Sequence, residues 1–483
     1  MTKVQLGIIK EQILPHIIGV YKDTAVYVNI SFQETNTETF NAPSSVDKLS
    51  KSNVASFCIT MITPSGAILK LNRPEIPVGE MIDLIDGMLP VCQTAKPSDA
   101  GRRLYRYIST GCATQDTSYC KQTDVMDEDM VIARLRTLAY KMREKTKLFD
   151  WQFYIYCLQF FEWNLFLDSS GSFIYQEDRN FSIRMNVQGD VNVQLSLYGD
   201  KLDSETMNGL LDNLYLKYQY RLDVLRYGKL VEPQPLSSFP FIVCDFDFFG
   251  GLLHEGVGHA LEADAKESDR PYRIGEEFPC KNVCIIDSGK ISTWANVKYD
   301  SWGHLRPEIY LIEKGTVKSY LNGLYSSIIR DTLQTWNHCD RRSRPESNPQ
   351  ARMSALNMII DDAHCQQIYF QSLFDVQRAL NNDLCVLFLL GCRKGRYNIR
   401  DKTVTIFPEV ACCIKKNSIQ YWNAGEITAQ AQDVVSNIVY GYGRKSEHYN
   451  FCEKGQQTVA TSSLVNQFIL TKNFIKEIPN DNV

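Results

Sequence analysis

Residues 250–264 read GGLLHEGVGHALEAD, and they carry two of the chain's seven histidines, His254 and His259, five positions apart. A regular zinc-binding helix spaces two histidines four apart, as His-Glu-x-x-His. Residues four apart differ by about 40° around a helix axis, whereas residues five apart differ by about 140°. On an ideal helix His254 and His259 therefore cannot turn to one ion. A single π turn absorbs one extra residue, and such turns concentrate at functional sites. Gly256 and Gly258 lie between the histidines, and each costs a helix about 1 kcal/mol against alanine. A plain helix with two satisfied histidines leaves that cost unexplained. The stretch is read as a distorted helix carrying a metal site.

Neutral imidazole is a good zinc ligand, and two histidines plus one further group leave an open position for catalysis. Glu255, next to the first histidine, is placed to act as general base on a water molecule. Spacing alone leaves the third ligand open among Cys452, His448, His364, His304, Glu262 and Asp264, with a thiolate the strong chemical choice. Glu262 and Asp264 could each orient a ligand histidine or simply face solvent. His448 stands behind Cys452 as a rival ligand or proton shuttle. His304 and Arg306 are read as part of a surface loop, with a substrate contact as the alternative. Cys280 with Cys284, and Cys412 with Cys413, are read as structural.

Around this stretch lies a chain of 483 residues, more than one hydrophobic core organises, since cores stop growing near about 250–300 residues. Hydrophobic residues make up 44% and charged residues 22%, with a formal net charge of -4. No basic excess draws the chain to nucleic acid or acidic lipid. Fifteen cysteines, an odd number scattered through the sequence, do not fit a secreted disulfide scaffold. The first residues, MTKVQLGIIKEQILPH, lack a signal-peptide pattern. The apolar run Val386–Leu390 is far shorter than the ~20 residues a membrane helix needs. These features lead us to expect a cytoplasmic protein.

Ala25–Phe32 and Ala55–Ile62 are rich in β-branched and aromatic residues and read as strands. Met130–Lys145 has helical periodicity. Phe153–Phe166 is almost continuously apolar and fits a buried helix or a buried strand. Phe181–Gly199 alternates around Gly189-Asp190 like a hairpin. Ser204–Gly228 reads as a long helix with a serine cap at its start and a glycine at its end. Three prolines in Val231–Pro240 break any element and set the boundary between residues 1–235 and 236–483. Beyond the motif, short strands are expected at KNVCIIDSG, ISTWANVKYD, PEIYLIEKG and TVKSYLNG, with one helix at Ile368–Asn381. The fold class is α+β.

The segment HEGVGHALEAD, residues 254–264, resembles the His-Glu-x-x-x-His zinc motif and Leu-Glu-x-Asp tail of the TldD/PmbA family of metallopeptidases, in its TldD branch. IIDSGK (Ile285 to Lys290), the segment Asn296–Gly323 and NFCEKGQQ (Asn450 to Gln457) resemble family segments in the same order. The resemblance implies a zinc centre with Cys452 as third ligand and Glu255 as general base. It implies an α/β N-terminal domain, a β-rich C-terminal domain, and dimers formed with itself or with a sister subunit. It also implies a protease that admits extended or unfolded peptides and processes leader peptides of ribosomally made, modified peptides. Two departures bear on the substrate channel: the region 384–408 has few glycines, and Trp302, His304 and Arg306 replace an acidic turn. The first motivates an alternative, a peptide-gripping scaffold that does not cut.

Overall fold

The structure is a computed structural model. It describes residues 3–476 except 43–47, 76, 112–115, 121–131, 134, 138–139, 141–143, 145–151, 189–192, 200–218, 265–269, 290–294, 296, 331–334, 369, 381–385, 416–417 and 423–424. The first sheet is built from β1 (Tyr27–Ala42), β2 (Lys48–Ile62), β3 (Ile68–Arg73), β4 (Asp116–Cys120), β5 (Gln152–Asp168), β6 (Phe173–Gln188) and β7 (Val193–Gly199). Its order is β3-β2-β1-β5-β6-β4, with β7 also on β6. Its pairings are antiparallel apart from β4 with β6. The ambiguous Phe153–Phe166 is thus a strand. Helices at Leu14–Thr24 and Met81–Thr94 cover one face through Ile17, Ile85 and Met88, packed with Val28, Ile30 and Ile59. The helix at the very start of the chain was not foreseen in the sequence.

The second sheet holds β8 (Gly228–Leu230), β9 (Phe241–Asp245), β10 (Val283–Ser288), β11 (Glu308–Glu313) and β12 (Thr316–Val317). A small separate ribbon pairs β13 (Asp340–Arg341) with β14 (Gln350–Ala351). The second sheet continues with β15 (Ala355–Ile360), β16 (Cys365–Gln366), β17 (Val386–Asn398), β18 (Thr403–Lys415), β19 (Ser418–Trp422), β20 (Ile427–Gln430), β21 (Ile438–Lys454) and β22 (Gln457–Lys472). Its central path runs β12-β11-β10-β15-β22-β9-β17-β18-β19-β8.

This sheet is buried on both faces, which explains its nearly continuous apolar strands. Along β17, Leu387 and Leu389 enter one core while Val386, Phe388 and Leu390 enter the other, as a two-residue side-chain period requires. Cys412 and Cys413 divide the same way, so they cannot share an ion. Cys280 bonds to Asn282, and Cys284 accepts the amide of Lys314. Twelve of the described cysteines, Cys452 among them, are free.

Several expectations met different outcomes. Ser204–Gly228 and Met130–Lys145 lie largely outside the described residues, although 219–227 is helical and Gly228 opens β8. In TVKSYLNG only Thr316–Val317 forms a strand, with Leu321 in an isolated bridge to Glu262. The described part of ISTWANVKYD forms no strand, only an isolated bridge from Tyr299 to Leu305. The expected helix at 368–381 is shorter, Leu373–Ala379, because Ser372 and Asp375 form a capping box that starts it late. Arg306 does not lie on the surface: its side chain is fully buried and paired with Asp287. No helix among the described residues is long and apolar enough to cross a membrane.

Arg221 anchors the central strands. Its buried guanidinium faces Glu409 at 2.7 Å, Asp245 at 3.4 Å and Asp247 at 3.6 Å. Three carboxylates around one cation tolerate burial only while that cation is present. Replacing Arg221 with Met is expected to destabilise the fold by about 3–5 kcal/mol, read as a lower urea midpoint.

Candidate metal centre

β9 lies between β22 and β17. It ends at Asp245, whose side chain accepts the amide of Phe248 at 2.8 Å and caps the wholly buried helix Phe246–Leu253. The helix then widens into a π turn over His254–Gly258, closed by a hydrogen bond from the His259 amide to the His254 carbonyl. This turn takes up the one extra residue. The two imidazoles meet with ring centroids 4.9 Å apart and planes 89° apart. Neither Gly256 nor Gly258 has a positive φ. What Gly258 supplies is room, since a Cβ there would lie 2.3 Å from the sulfur of Met353.

The hairpin of β21 and β22 brings the third donor. Cys452 Sγ lies 3.0 Å from His259 Nε2, and donor atoms of His254, His259 and Cys452 all fall within 4.8 Å of one another. Thr461 Oγ1 on β22 is 3.3 Å from His254 Nδ1. Glu262 Oε2 is 2.8 Å from His259 Nδ1 and also takes Lys454 Nζ at 2.7 Å. Its other oxygen accepts the Met353 amide at 3.3 Å. Two nitrogens and a sulfur, all held by buried partners and open on one side, fit a three-ligand zinc site.

These groups line a cavity of about 750 Å³. Past the end of β9, β17 and the β21–β22 hairpin run on and wall it. Glu255 lies in this cavity with Oε2 4.0 Å from His259 Nε2. β17 passes beside it only because residue 395 is glycine: a Cβ there would sit 2.8 Å from Glu255 Cγ. His448 lines the same cavity with Nδ1 3.2 Å from Asp247 Oδ1. Asp264 holds Lys454 at 2.7 Å on the cavity wall. His364 is exposed and bonded to Asp361, while His304 belongs to a separate cluster. The sequence did not single out Thr461, Asp247, Arg352 or Lys454. For Lys454 a signal existed, since it stands two residues from Cys452 and so on the same face of β21.

Residues 241–398 match the family model for the PmbA/TldA metallopeptidase C-terminal domain. The chain therefore carries, in residues 241–398, a domain similar to that of the PmbA/TldA metallopeptidases. The TldE structure from Thermococcus kodakarensis shares its fold, with a TM-score of 0.70 at 11% identity over 95% of this chain and 98% of that one. Among curated relatives, metalloprotease MJ0996 of Methanocaldococcus jannaschii is 29% identical over 195 residues, 39% of this chain and 42% of that protein. A metalloprotease of Methanothermobacter thermautotrophicus is 36% identical over 93 residues, 19% of this chain and 20% of its own length. The chain thus matches less than half the length of these two relatives.

The charges around the centre are set by burial against close partners. Burial lowers the pKa of His254 well below the usual histidine value, favouring the neutral, ligand-competent ring. Burial also acts against charge on His259, but Glu262 and Cys452 outweigh it and raise that pKa to about 10. For Glu262 burial is likewise overcome, by Lys454, His259 and Arg352, which hold its carboxylate well below the normal range. Burial raises the pKa of Glu255, as suits a base. The thiol of Cys392 is pushed well up by burial.

Carboxylates behind a ligand histidine tune metal affinity about 10–100-fold. Glu262→Gln is therefore expected to weaken cobalt binding by about that factor, measured by chelator competition on the thiolate-to-cobalt charge-transfer band. Gly395→Ala should leave that band in place while displacing Glu255, and a crystal structure of the variant would show the shift.

Proposed function

We propose that this chain is a zinc metalloprotease of the family's catalytic branch, acting on extended peptides such as unfolded chains or the leader segments of ribosomally made peptides. The observation that carries the reading is the convergence of His254, His259, Cys452 and Glu255 in one cavity between two strand edges. The complete donor set supports assignment to the catalytic branch.

When bound, zinc supplies Lewis acidity to a peptide carbonyl and makes water more acidic. The chain's own residues do the rest. Glu255 takes the proton of the attacking water on its carboxylate and returns it to the departing amine, the usual work of a general acid–base. Glu262 keeps the His259 ring oriented, and Lys454 keeps Glu262 charged and in place. β17 pairs with β18 along one edge, and with β9 on the other only through Val386–Leu389. Beyond Leu389 that second edge has no strand partner among the described residues. A peptide adding there would run past Glu255, bonded mainly through its backbone, which gives broad sequence tolerance. Residues 392–397, within the compositionally unusual region 384–408, line the cavity.

Glu255→Ala should retain the metal and lose cleavage of unfolded casein by at least about 10²–10⁴-fold, with a chelator abolishing wild-type cleavage. Cleavage that survives Glu255→Ala would overturn the mechanism. A wild type that holds zinc and binds peptides without cutting them would favour the scaffold alternative.

A further inference from the structure

We propose a second metal site in this chain, formed by Asp300, His304 and His338 and suited to a divalent transition cation such as zinc. It is separate from the centre at His254, His259 and Cys452, and it does not rest on the peptidase reading.

The donor atoms of the three residues all lie within 4.8 Å of one another. His304 Nδ1 is 3.5 Å from Asp300 Oδ1, and His338 Nδ1 is 3.8 Å from Asp300 Oδ2. These distances are too long for N–H···O hydrogen bonds, which cluster at about 2.7–3.2 Å. They are close to the ~3.4 Å that separates two ligands of one tetrahedral ion bound at ~2.0–2.1 Å. The three groups are therefore spaced for a shared cation rather than for each other.

Asp300 gives the independent observation. Its side chain is completely buried. Oδ1 accepts the amides of Trp302 and His304, each at 2.9 Å. Oδ2 is buried with no hydrogen-bond partner, and so is His338 Nδ1. Leaving a buried carboxylate oxygen unmatched is costly, and a cation between it and the imidazoles would satisfy both. The rings are already fixed. His304 and His338 stack with centroids 5.0 Å apart, and Trp336 packs its edge against them at 4.7 and 4.2 Å. His338 remains 31% exposed, so an ion can enter from solvent.

The surrounding charge allows it. Buried Arg306 and Arg342 both attract Asp300, but Arg306 is held by Asp287, Arg342 donates to Ser31 and to the Pro345 carbonyl, and buried Asp340 repels Asp300. Two imidazoles with one carboxylate suit zinc, cobalt or iron(II) rather than calcium or magnesium. The site ties the turn at 300–304 to the segment around 336–340. Both belong to the junction with the first sheet, where Trp302 and Trp336 pack with Tyr27, Ile62, Leu104 and Ile108. Its role is to fasten that junction.

The test is a cobalt titration of the chelator-stripped full-length chain, counted by mass spectrometry and followed by visible absorption. The wild type should take up two equivalents. Cys452→Ser should take up one, with d–d bands and no thiolate charge-transfer band. His338→Gly should keep the charge-transfer band and lose one equivalent. Glycine suits that position, because His338 has a φ of 57°. Zinc should also raise the melting temperature of Cys452→Ser, and not that of the Cys452→Ser/His338→Gly double variant. A wild type that binds one equivalent, or a His338→Gly chain that still binds two, would overturn the proposal. If His338→Gly fails to fold, Cys452→Ser decides alone: one cation without the thiolate band supports the site, and none refutes it.

Discussion

The hydrogen bond from the His259 amide to the His254 carbonyl spans five residues instead of four, and the arrangement of the centre follows from it. With a regular four-residue bond the second imidazole would swing away from the first by about a third of a turn. The widened turn needs tight support to persist, and it has it. The helix before it is buried along its whole length, and the Tyr272 hydroxyl donates to the Gly256 carbonyl at 2.8 Å. Met353, which leaves no space for a side chain at residue 258, closes the other side.

The second sheet turns this local distortion into a cavity. β9 is short, and its neighbours are long. Where β9 gives way to the helix, β17 runs on past its pairing with β9, and residues of β17 and β21 line the cavity beside the histidines. Arg221 and its three carboxylates sit beneath this fork. They fix the N-cap residue Asp245 and the His448 partner Asp247 together, so the cavity floor and the helix start are set by one charge cluster.

Much of this was legible in residues 250–264. The five-residue spacing, the two glycines and the adjacent glutamate were enough to expect a distorted metal-bearing helix, because helical geometry is local. The strands at 25–32 and 55–62 were legible from their β-branched and aromatic residues, and those at 181–199 from alternation. Other features depend on contacts between distant residues. The burial of Arg306 follows from Asp287, which lies nineteen residues away in sequence, and nothing in HLRP announces it. The gathering of Asp300, His304 and His338 needs two loops to meet. Spacing alone could not choose Cys452, and family resemblance supplied that candidate. The structure brings it beside His259, since only the sheet order sets β21 against the helix.

The centre also has a place in time. Cys452 follows His259 by 193 residues, and its hairpin partner β22 must insert between β15 and β9, strands made far earlier. At translation speeds of about 5–20 residues per second, the histidines wait roughly 10–40 s for their thiolate. During that interval the growing chain carries the two imidazoles and the glutamate without the group that would complete them. A nascent copy therefore cannot bring these three donors together until the closing strand of the sheet is in place.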